Sequence, residues 1–467
     1  MSAIRKRQIL WLAVLIQATI SGFAQSTATV NWTNVHQVID GFGGADRDDL
    51  SSSQQSFMFG TGPGQLGISI YHTNVKGGDD GADCTSVGTG CVTVSSNMQA
   101  VVANGGRVWV DGTLPPPQYL IQNFIQPNCG SQAGTRLIPG DFGTYATWMA
   151  NYVKSLQQQG VNIYGLSVQN EPDTCFFTYF SSQDMDTFIS QNLGPTLAAQ
   201  GVPTPIYMPE TANYNDTASW GSTCASDSAC MNYVGGVAYH DYQLNITGSS
   251  VTSAPYPFSS QGSTKYWETE FGMTGCHGPN SWDPQYCEPG WNTDMTTDGL
   301  QWAAILDQRM AVDNLNAWMI YLLQTYDNVD DGLINGNTGS IASRAYVMGQ
   351  YSKFVRPGYY RIDATHNPAS GVSVSAYQNT PNNTLVIIAT NYTSSSVSQT
   401  FNITNAPSFT TLTPTITSAS QQMATLSNVS VSSGSFTYTL PAQSIITFVG
   451  STASIPPPTN LSGTVVP

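Results

Sequence analysis

The chain has 467 residues, of which only 9% are charged, and its 29 acidic residues outnumber its 14 Lys and Arg, for a formal net charge of −15 at pH 7. A strongly acidic protein repels the phosphates of nucleic acids and of anionic membrane surfaces, so we expect neither nucleic acid nor membrane as a partner. Uncharged polar residues are abundant instead, which suits a neutral polar ligand as well as simple solubility.

The first 24 residues are typical of a secretory signal peptide. Arg5, Lys6 and Arg7 precede a short apolar stretch at residues 9–20, and small residues lead to Ala24. A basic start, an apolar segment and a small-residue cleavage site direct export, and the stretch is too short to span a bilayer. We therefore predict cleavage after Ala24 and a secreted, extracellular protein. The remaining chain then holds 11 basic and 29 acidic residues, a net charge near −18.

Strand-like and helix-like segments alternate over residues 41–353. The helix-like segments include residues 144–159, closed by Gly160, and residues 183–200, closed by Gly201 with Ser182 as a plausible N-cap. Alternation of strands and helices predicts a parallel sheet, and eight strands favour a closed (β/α)8 TIM barrel of the α/β class. The strands are predicted at residues 37–44, 65–72, 106–112, 161–169, 205–210, 235–242, 264–271 and 317–324.

The regions outside residues 41–353 have a different character. Residues 354–450 contain alternating and β-branched segments separated by turn residues, which predicts an antiparallel β-sandwich as a side domain. Residues 25–40 are predicted to add an N-terminal strand to that β-sandwich. Residues 451–467 begin with a proline-rich linker, and their last part resembles the first strand of a further module.

Two carboxylates end predicted strands that lie nearly opposite each other in the barrel. Glu171 follows the fourth strand, where Pro172 prevents the strand from continuing, and Glu270 ends the seventh strand. Active sites of (β/α)8 barrels lie at the carboxyl ends of the strands. A pair of acids facing each other there suits glycoside hydrolysis, in which one protonates the leaving oxygen and the other attacks or activates water. The alternative for Glu171 is a turn carboxylate or a buried ion-pair partner.

The neighbours of these two acids favour a sugar over a metal ion. Asn170 precedes Glu171 and can donate its amide to a sugar hydroxyl. Because the sequence has no C-x-x-C or H-E-x-x-H spacing, we expect no metal and no cofactor. Glu268 competes with Glu270, since two residues apart on a regular strand they share a face. Glu270 is favoured because it is nearer the carboxyl end of the strand.

Eight cysteines in a chain predicted to be exported favour disulfides. Cys129 and Cys175 have no near neighbour in the sequence. Eight cysteines allow 105 pairings, so proximity is a hint and no more. The three pairs that lie close together in loops are Cys84/Cys91, Cys224/Cys230 and Cys276/Cys287.

Five segments follow one another along the chain: VIDGFGGA, GLSVQNEPD, YWETEF, YVMGQYSKFVRPGYYRIDAT and LPAQSIITF. In this order they resemble glycoside hydrolase family 30 and especially its xylan-cleaving members. The resemblance covers residues 30–450. It implies a (β/α)8 barrel with a side β-sandwich and a retaining mechanism. It also implies that Glu171 is the acid/base and Glu270 the nucleophile.

Aromatic side chains near the two acids are candidates for sugar binding, because rings stack on the apolar faces of sugars. Phe177 and Tyr179 follow the fourth strand and resemble an aromatic cluster of the family. Tyr242 resembles a tyrosine whose hydroxyl holds the nucleophile, and His240 lies beside it in the sequence. Trp267 on the seventh strand is a further candidate. For each of these aromatic residues the alternative is core packing, and for Trp267 core packing is favoured.

The sequence departs from the xylan-cleaving members where an acidic branch would be bound. The resemblance implies an arginine after the last barrel strand that grips a glucuronic acid branch. No arginine occurs between Arg309 and Arg344, and Leu323 and Gln324 stand about where it would be. We therefore expect an endo-β-1,4-xylanase that cleaves xylan without requiring glucuronic acid branches.

Other expected family residues are also replaced. Tryptophans after the first and third strands correspond to Leu50 and Leu114, and an arginine on the second strand corresponds to His72. Two alternatives therefore stay open. One is another family 30 β-glycosidase, of the β-1,6-glucanase, glucosylceramidase or exo-xylosidase type. The other is a non-catalytic carbohydrate-binding protein, which the intact acid pair disfavours. We expect the protein to act as a monomer.

Overall fold

The computed structural model describes residues 26–452 except 46–49, 75–83, 113–115, 128, 132, 176, 243–245, 248–249, 273–292 and 327–331. The predicted signal peptide, Leu114, the pair Cys276/Cys287 and residues 453–467 of the predicted linker lie outside the described residues. No helix in the described part of the chain combines the length and the apolar character needed to cross a membrane.

The strands of the described residues belong mostly to two large sheets. In chain order they are β1 (Thr27–Val38), β2 (Gly41–Ala45), β3 (Ile70–Asn74), β4 (Arg107–Asp111), β5 (Ile121–Ile125), β6 (Ala133–Leu137), β7 (Ile163–Ser167), β8 (Thr178–Tyr179), β9 (Ile206–Thr211), β10 (Val234–Asp241), β11 (Ile246–Thr247), β12 (Ser250–Val251), β13 (Lys265–Phe271), β14 (Ala317–Thr325), β15 (Gly332–Asn335), β16 (Tyr360–Ala364), β17 (Val372–Asn379), β18 (Thr384–Asn391), β19 (Val397–Thr404), β20 (Thr411–Ser418), β21 (Gln421–Thr425), β22 (Val429–Ser430), β23 (Ser435–Leu440) and β24 (Ser444–Ser451).

The helices of the described residues lie around the sheet that contains β2, β3 and β4. They are α1 (Ser52–Phe59), α2 (Ser96–Ala103), α3 (Phe142–Gln158), α4 (Ser182–Phe188), α5 (Gly194–Ala199), α6 (Tyr214–Ser226), α7 (Ser228–Met231), α8 (Leu300–Asp307) and α9 (Ser343–Ser352). A π-helical segment, Ile189–Leu193, joins α4 to α5. The N-cap of α4 is Ser181 and not the predicted Ser182, because the Ser181 side chain accepts from the Asp184 N–H. The Ser182 hydroxyl donates instead to Thr223.

Eight parallel strands close into a barrel, as predicted. Their order is β13-β10-β9-β7-β4-β3-β2-β14, and β14 also pairs with β13. Trp267 of β13 lies opposite Ala317 of β14, and Gly41 of β2 lies opposite the same residue from the other side. Each barrel strand overlaps one of the eight predicted segments. The (β/α)8 fold is therefore confirmed.

Aromatic rings fill the interior of this barrel. The Tyr207 ring lies 4.8 Å from the Trp109 ring and 4.4 Å from the Trp267 ring. Val108 and Val110, the neighbours of Trp109 in β4, belong to the larger core that the helices cover. Successive residues of a strand point to opposite faces. The inward positions near the carboxyl ends therefore line the barrel mouth.

The second sheet forms the β-sandwich. Its order is β21-β20-β24-β18-β17-β16-β1-β19-β23, with β22 beside β20. It encloses a separate apolar core that includes Ile387, Phe401 and Phe448. The strand nearest the N-terminus, β1, pairs antiparallel with β16 and parallel with β19. The chain thus enters the sandwich before it builds the barrel, and it returns to the sandwich afterwards.

A small third sheet lies beside the loop that carries Glu171. It consists of β5, β6 and β8, and β8 follows that loop closely in the chain. Disulfides in the described residues are Cys84–Cys91, Cys129–Cys175 and Cys224–Cys230. Two of them are predicted pairs. The other joins the two cysteines that had no near neighbour, and it fastens the loop between β5 and β6 to the loop after β7.

Candidate active site

Glu171 lies at the carboxyl end of the barrel, in the loop after β7. Its backbone adopts the left-handed region with a φ of 44°, and Glu210 at the end of β9 does the same with a φ of 62°. The Glu171 N–H donates to the Glu210 carbonyl oxygen at 2.9 Å, which holds the two strained residues together. Left-handed backbone costs non-glycine residues about 1–3 kcal/mol and concentrates at functional sites.

Glu270 is the last residue but one of β13 and is only 5% exposed. Its two carboxylate oxygens have different neighbours. The Tyr242 hydroxyl donates to Oε2 at 2.5 Å, and His240 Nδ1 lies 3.4 Å from the same oxygen. His72 Nε2 lies 3.8 Å from Oε1. The contact between Tyr242 and Glu270 that the sequence predicted is therefore present.

His240 of β10 links three carboxylates while being fully buried. Its Nδ1 lies 2.9 Å from Glu171 Oε1, and its Nε2 lies 3.0 Å from Glu210 Oε1. Burial disfavours a charged imidazole, but the carboxylates of Glu270, Glu171 and Glu210 outweigh it and raise the pKa of His240 well above its ordinary value. The raised pKa favours the protonated imidazole, in which both ring nitrogens donate.

The Glu171 and Glu270 carboxylates are close neighbours. One oxygen of Glu171 and one of Glu270 lie within 4.8 Å of each other and of a His240 nitrogen. Retaining glycosidases hold their two carboxyl groups about 5–5.5 Å apart, whereas inverting enzymes need about 6.5–9.5 Å to admit a water. The oxygen–oxygen separation is therefore shorter than the carboxyl separation of inverting enzymes. Burial raises the pKa of Glu270 to about 7, although the charges of His240 and His72 act in the opposite direction.

Two buried acids of the mouth were not among the predicted site residues. Glu210 accepts a hydrogen bond from Thr269 Oγ1 at 2.5 Å in addition to its contact with His240. Asp111, at the end of β4, is fully buried beside His72. Both acids end predicted strands in the sequence. The signal that identified Glu171, an acid at the end of an apolar run, therefore applies to them as well.

The prediction that Glu268 and Glu270 share a face is wrong. The register between β10 and β13 shifts by one residue, so that Tyr239 lies opposite Glu268 and the next residue, His240, lies opposite Glu270. Glu268 consequently lies between the barrel and its helices, where Arg309 Nε donates to its Oε2 at 2.6 Å. Glu270, and not Glu268, belongs to the mouth.

Trp267 packs in the core, the alternative that the sequence favoured, and not at the mouth as a substrate-binding residue. Trp267 is fully buried in the barrel interior, where it stacks on Tyr164 at 5.8 Å. Its indole N–H donates to Asp40 Oδ2 at 3.1 Å. Asp40 directly precedes β2, at the amino end of the barrel. Trp267 comes three residues before Glu270, and that distance along the strand places it below the mouth.

The remaining predicted binding residues lie around Glu171. Asn170 is 3% exposed, and its side-chain Oδ1 has no hydrogen-bond partner among the described residues. Phe177 and Tyr179 are half-buried. The Tyr179 ring stacks on Phe124 of β5 at 5.1 Å, and the Arg136 guanidinium lies 5.0 Å from the centre of the Phe124 ring. These aromatic rings form a surface next to the loop that carries Glu171.

Three groups of potential metal-binding side chains occur in the described residues: Asp186 with Cys224 and Cys230, His72 with Asp111 and Glu270, and Glu171 with His240 and Glu270. The first group has no free thiolate, because its cysteines form a disulfide. In the other two groups the acids face imidazoles that complement their charge. We assign none of these residues as metal ligands.

Two family models match the chain, one for each of its main sheets. The glycosyl hydrolase family 30 TIM-barrel domain matches residues 129–320, and the family 30 β-sandwich domain matches residues 358–448. Glucuronoxylanase XynC of Bacillus subtilis (strain 168) is 30% identical over 433 residues, which cover 91% of this chain and 92% of that protein. This chain belongs to glycoside hydrolase family 30. A more distant relative, putative glucosylceramidase 1 of Caenorhabditis elegans, is 24% identical over 53% of this chain and 49% of that protein.

Solved structures of family 30 enzymes share both sheets with this chain. A family 30 endoxylanase from Clostridium papyrosolvens C71 is 28% identical, with a TM-score of 0.72 over 91% of this chain and 100% of that one. The subfamily 8 xylanase Xyn30A from Clostridium acetobutylicum is also 28% identical, with a TM-score of 0.74 and the same coverage. The resemblance to family 30 that the five segments carry is confirmed.

Proposed function

We propose that the protein hydrolyses glycosidic bonds with retention, with Glu270 as the nucleophile and Glu171 as the acid/base. The observation that carries this proposal is the spacing, since oxygens of the two acids lie within 4.8 Å of each other. The Tyr242 hydroxyl bond supports the assignment of roles, because it holds the Glu270 carboxylate in place. The strained loop at Glu171 positions a proton donor on the other side of the mouth.

The reaction has two steps. In the first, a Glu270 oxygen forms a bond to the anomeric carbon while the bond to the leaving oxygen breaks and that oxygen takes the proton of Glu171. In the second, Glu171 accepts a proton from water, the water oxygen attacks the anomeric carbon, and the ester bond to Glu270 breaks. The carboxylate of Glu270 and the proton of Glu171 are thereby restored.

The substrate class that we propose is xylan, cleaved internally at β-1,4 bonds by a secreted monomer. The support is that the relative with 30% identity is named a glucuronoxylanase and that two similar solved structures are xylanases. Asn170 with its oxygen unpartnered among the described residues, the half-buried rings of Phe177 and Tyr179, and the Tyr242 hydroxyl are the proposed contacts to the sugar. His240 is left out because it is fully buried and both of its ring nitrogens contact carboxylates. Trp267 is left out for the reason given above.

We further propose that this xylanase does not require a glucuronic acid branch. No arginine occurs between Arg309 and Arg344. Leu323 is fully buried, and the Gln324 amide donates to the Tyr326 hydroxyl at 2.6 Å, so neither residue offers a charged group to an acidic branch. The net charge of −15 also repels such a branch.

A panel of polysaccharides tests the substrate proposal. We expect reducing ends from xylan, with similar kcat/KM on a glucuronoxylan and on the same backbone stripped of its branches. A preference of about a hundredfold for the branched chain, roughly 2.7 kcal/mol of transition-state binding, would contradict branch independence. Activity only on β-1,6-glucan or glucosylceramide would contradict xylan as the substrate. No activity on any member of the panel would favour a carbohydrate-binding protein.

The stereochemical course is a separate test. Proton NMR of the first products distinguishes a β-anomer, which retention requires for a β-glycosidase, from an α-anomer. An α-anomer as the first product would show that Glu171 and Glu270 act by the inverting mechanism.

A further inference from the structure

His72 of β3 occupies an unusual position at the barrel mouth. It is fully buried, and its Nε2 lies 3.7 Å from Asp111 Oδ2 and 3.8 Å from Glu270 Oε1. Both distances are those of an ion pair and exceed those of a hydrogen bond. Within the described residues, neither ring nitrogen of His72 makes a hydrogen bond. The imidazole is therefore close to two acids without being fixed by either.

The groups around His72 are strongly acidic. The titratable side chains that face it among the described residues are Asp111 of β4, Glu270 of β13 and, at longer range, Glu210 of β9. The Trp109 ring lies in a T-shaped arrangement with the His72 ring, with centroids 6.5 Å apart. Buried carboxylates are unfavourable unless a cation is near. A protonated His72 supplies that charge to Asp111 and to Glu270, whereas with a neutral His72 Glu270 keeps only His240 among the described residues.

Asp111 is rigidly held and therefore a good anchor for this cation. Its Oδ1 accepts from the Ser167 hydroxyl at 2.7 Å and from the Gly112 N–H at 2.6 Å. Its Oδ2, the oxygen near His72, has no hydrogen-bond partner in the described part of the chain. Burial disfavours the imidazolium, but the carboxylates of Asp111, Glu270 and Glu210 outweigh it and raise the pKa of His72.

His72 differs from the other partners of Glu270 in the carboxylate oxygen that it contacts. Tyr242 and His240 both contact Oε2. His72 contacts Oε1. If His72 is neutral, Oε1 loses the one cation that the described residues place beside it, while Oε2 keeps both of its partners.

We propose that His72 is a positioning residue for the reaction, the cation beside Oε1 of Glu270 whose charge favours the ionised carboxylate for attack. The proposal rests on the proposed role of Glu270 as nucleophile. Because a histidine can lose its proton, the ionisation of Glu270 then also depends on whether His72 is protonated.

The first test compares His72→Gln with His72→Arg through the pH dependence of kcat/KM, which reports ionisations of the free enzyme. The acid limb of this profile, where kcat/KM falls toward low pH, follows the ionisation of the Glu270 carboxyl. A nearby opposite charge changes the pKa of a carboxyl by about 1–3 units. We therefore expect the acid limb of His72→Gln to move to higher pH by about 1 unit or more. The limb of His72→Arg, which keeps the charge, should stay at or below the wild-type pH. A purely structural role would not separate the two variants in this way.

The second test uses no substrate. With ¹³C-labelled imidazoles, NMR follows the titration of His72 in the intact enzyme, and its signal is the one missing from a His72 variant. We expect Glu270→Gln to lower the titration midpoint of His72, by the same amount by which His72→Gln raises that of Glu270, because the coupling between two proton sites is reciprocal. Should His72→Gln not fold, His72→Asn and the titration in the Glu270→Gln variant still decide the matter.

The proposal is overturned if a folded His72→Gln enzyme keeps its acid limb, or if the titration of His72 is the same in the wild type and in Glu270→Gln. Failure of the proposed function looks different. In that case Glu270→Ala keeps its activity, and the NMR coupling between His72 and Glu270 still shows whether the two groups interact.

Discussion

The interior of the barrel and its mouth are built by the same strands from opposite kinds of side chain. In the interior, Trp109, Tyr207 and Trp267 pack ring against ring. At the mouth, Glu270 and His240 are also buried, but they are ionisable and lie 3.4 Å apart. Burial of apolar area stabilises a fold, whereas burial of charge opposes it unless every charge is paired. The difference indicates that the interior supplies stability and the mouth supplies chemistry.

The largest expected effect is the loss of the acid/base at the mouth. Replacing Glu171 with Ala removes general acid catalysis, which contributes about 10²–10⁴-fold. We expect kcat on xylan to fall by about that factor, and the first step on an aryl xyloside with a good leaving group to change far less, because that leaving group needs no proton. Steady-state and burst kinetics on the two substrates measure both effects. An equal loss on both would contradict the role of Glu171.

The next prediction concerns the barrel interior, where we expect a substitution to lower stability far more than activity. Trp267→Ala removes a fully buried ring, and such truncations lower the free energy of unfolding by about 3–5 kcal/mol. We expect kcat/KM of the folded enzyme to change only a few-fold. Urea unfolding and kinetics at low temperature measure the two quantities. The matched control is Tyr179→Ala, whose half-buried ring should affect KM more than stability. A Trp267→Ala enzyme that is stable but inactive would erase the distinction between the interior and the mouth.

A smaller effect concerns stability against pH. The pKa of Glu270 is raised to about 7 in the folded protein, above the value of about 4.3 for an unperturbed Glu. The unfolded chain therefore loses this proton first, and its contribution to stability is full at low pH and disappears as the pH rises through 7. We expect the melting temperature of the wild type to fall more steeply between pH 5 and 8 than that of Glu270→Gln, by a few degrees. Parallel curves in calorimetry would contradict the raised pKa.

Much of this arrangement could be predicted from the sequence because strand ends are visible in it. Apolar segments that end in an acidic residue identified Glu171 and Glu270. The alternation of strand-like and helix-like segments predicted the barrel. Glu210 and Asp111 end their strands in the same way. Glu210 was missed because the sequence does not show that its side chain meets His240 of the neighbouring strand β10.

Other features depend on geometry that the sequence does not contain. A one-residue shift between β10 and β13 separates Glu268 from Glu270, and a regular alternation along the strand could not reveal it. The bond between Cys129 and Cys175 spans 46 residues, so it becomes visible only once the small sheet has brought the two loops together.

The central claim is that Glu270 attacks the sugar from the mouth while Glu171 acts opposite it. The most direct measurement is the product that Glu270→Ala forms from an aryl β-xyloside in the presence of azide. With the nucleophile gone, azide attacks from the vacated face, and we expect restored turnover and an α-glycosyl azide. A β-glycosyl azide would show that azide replaces the function of the acid/base, and it would contradict the assignment of the two acids.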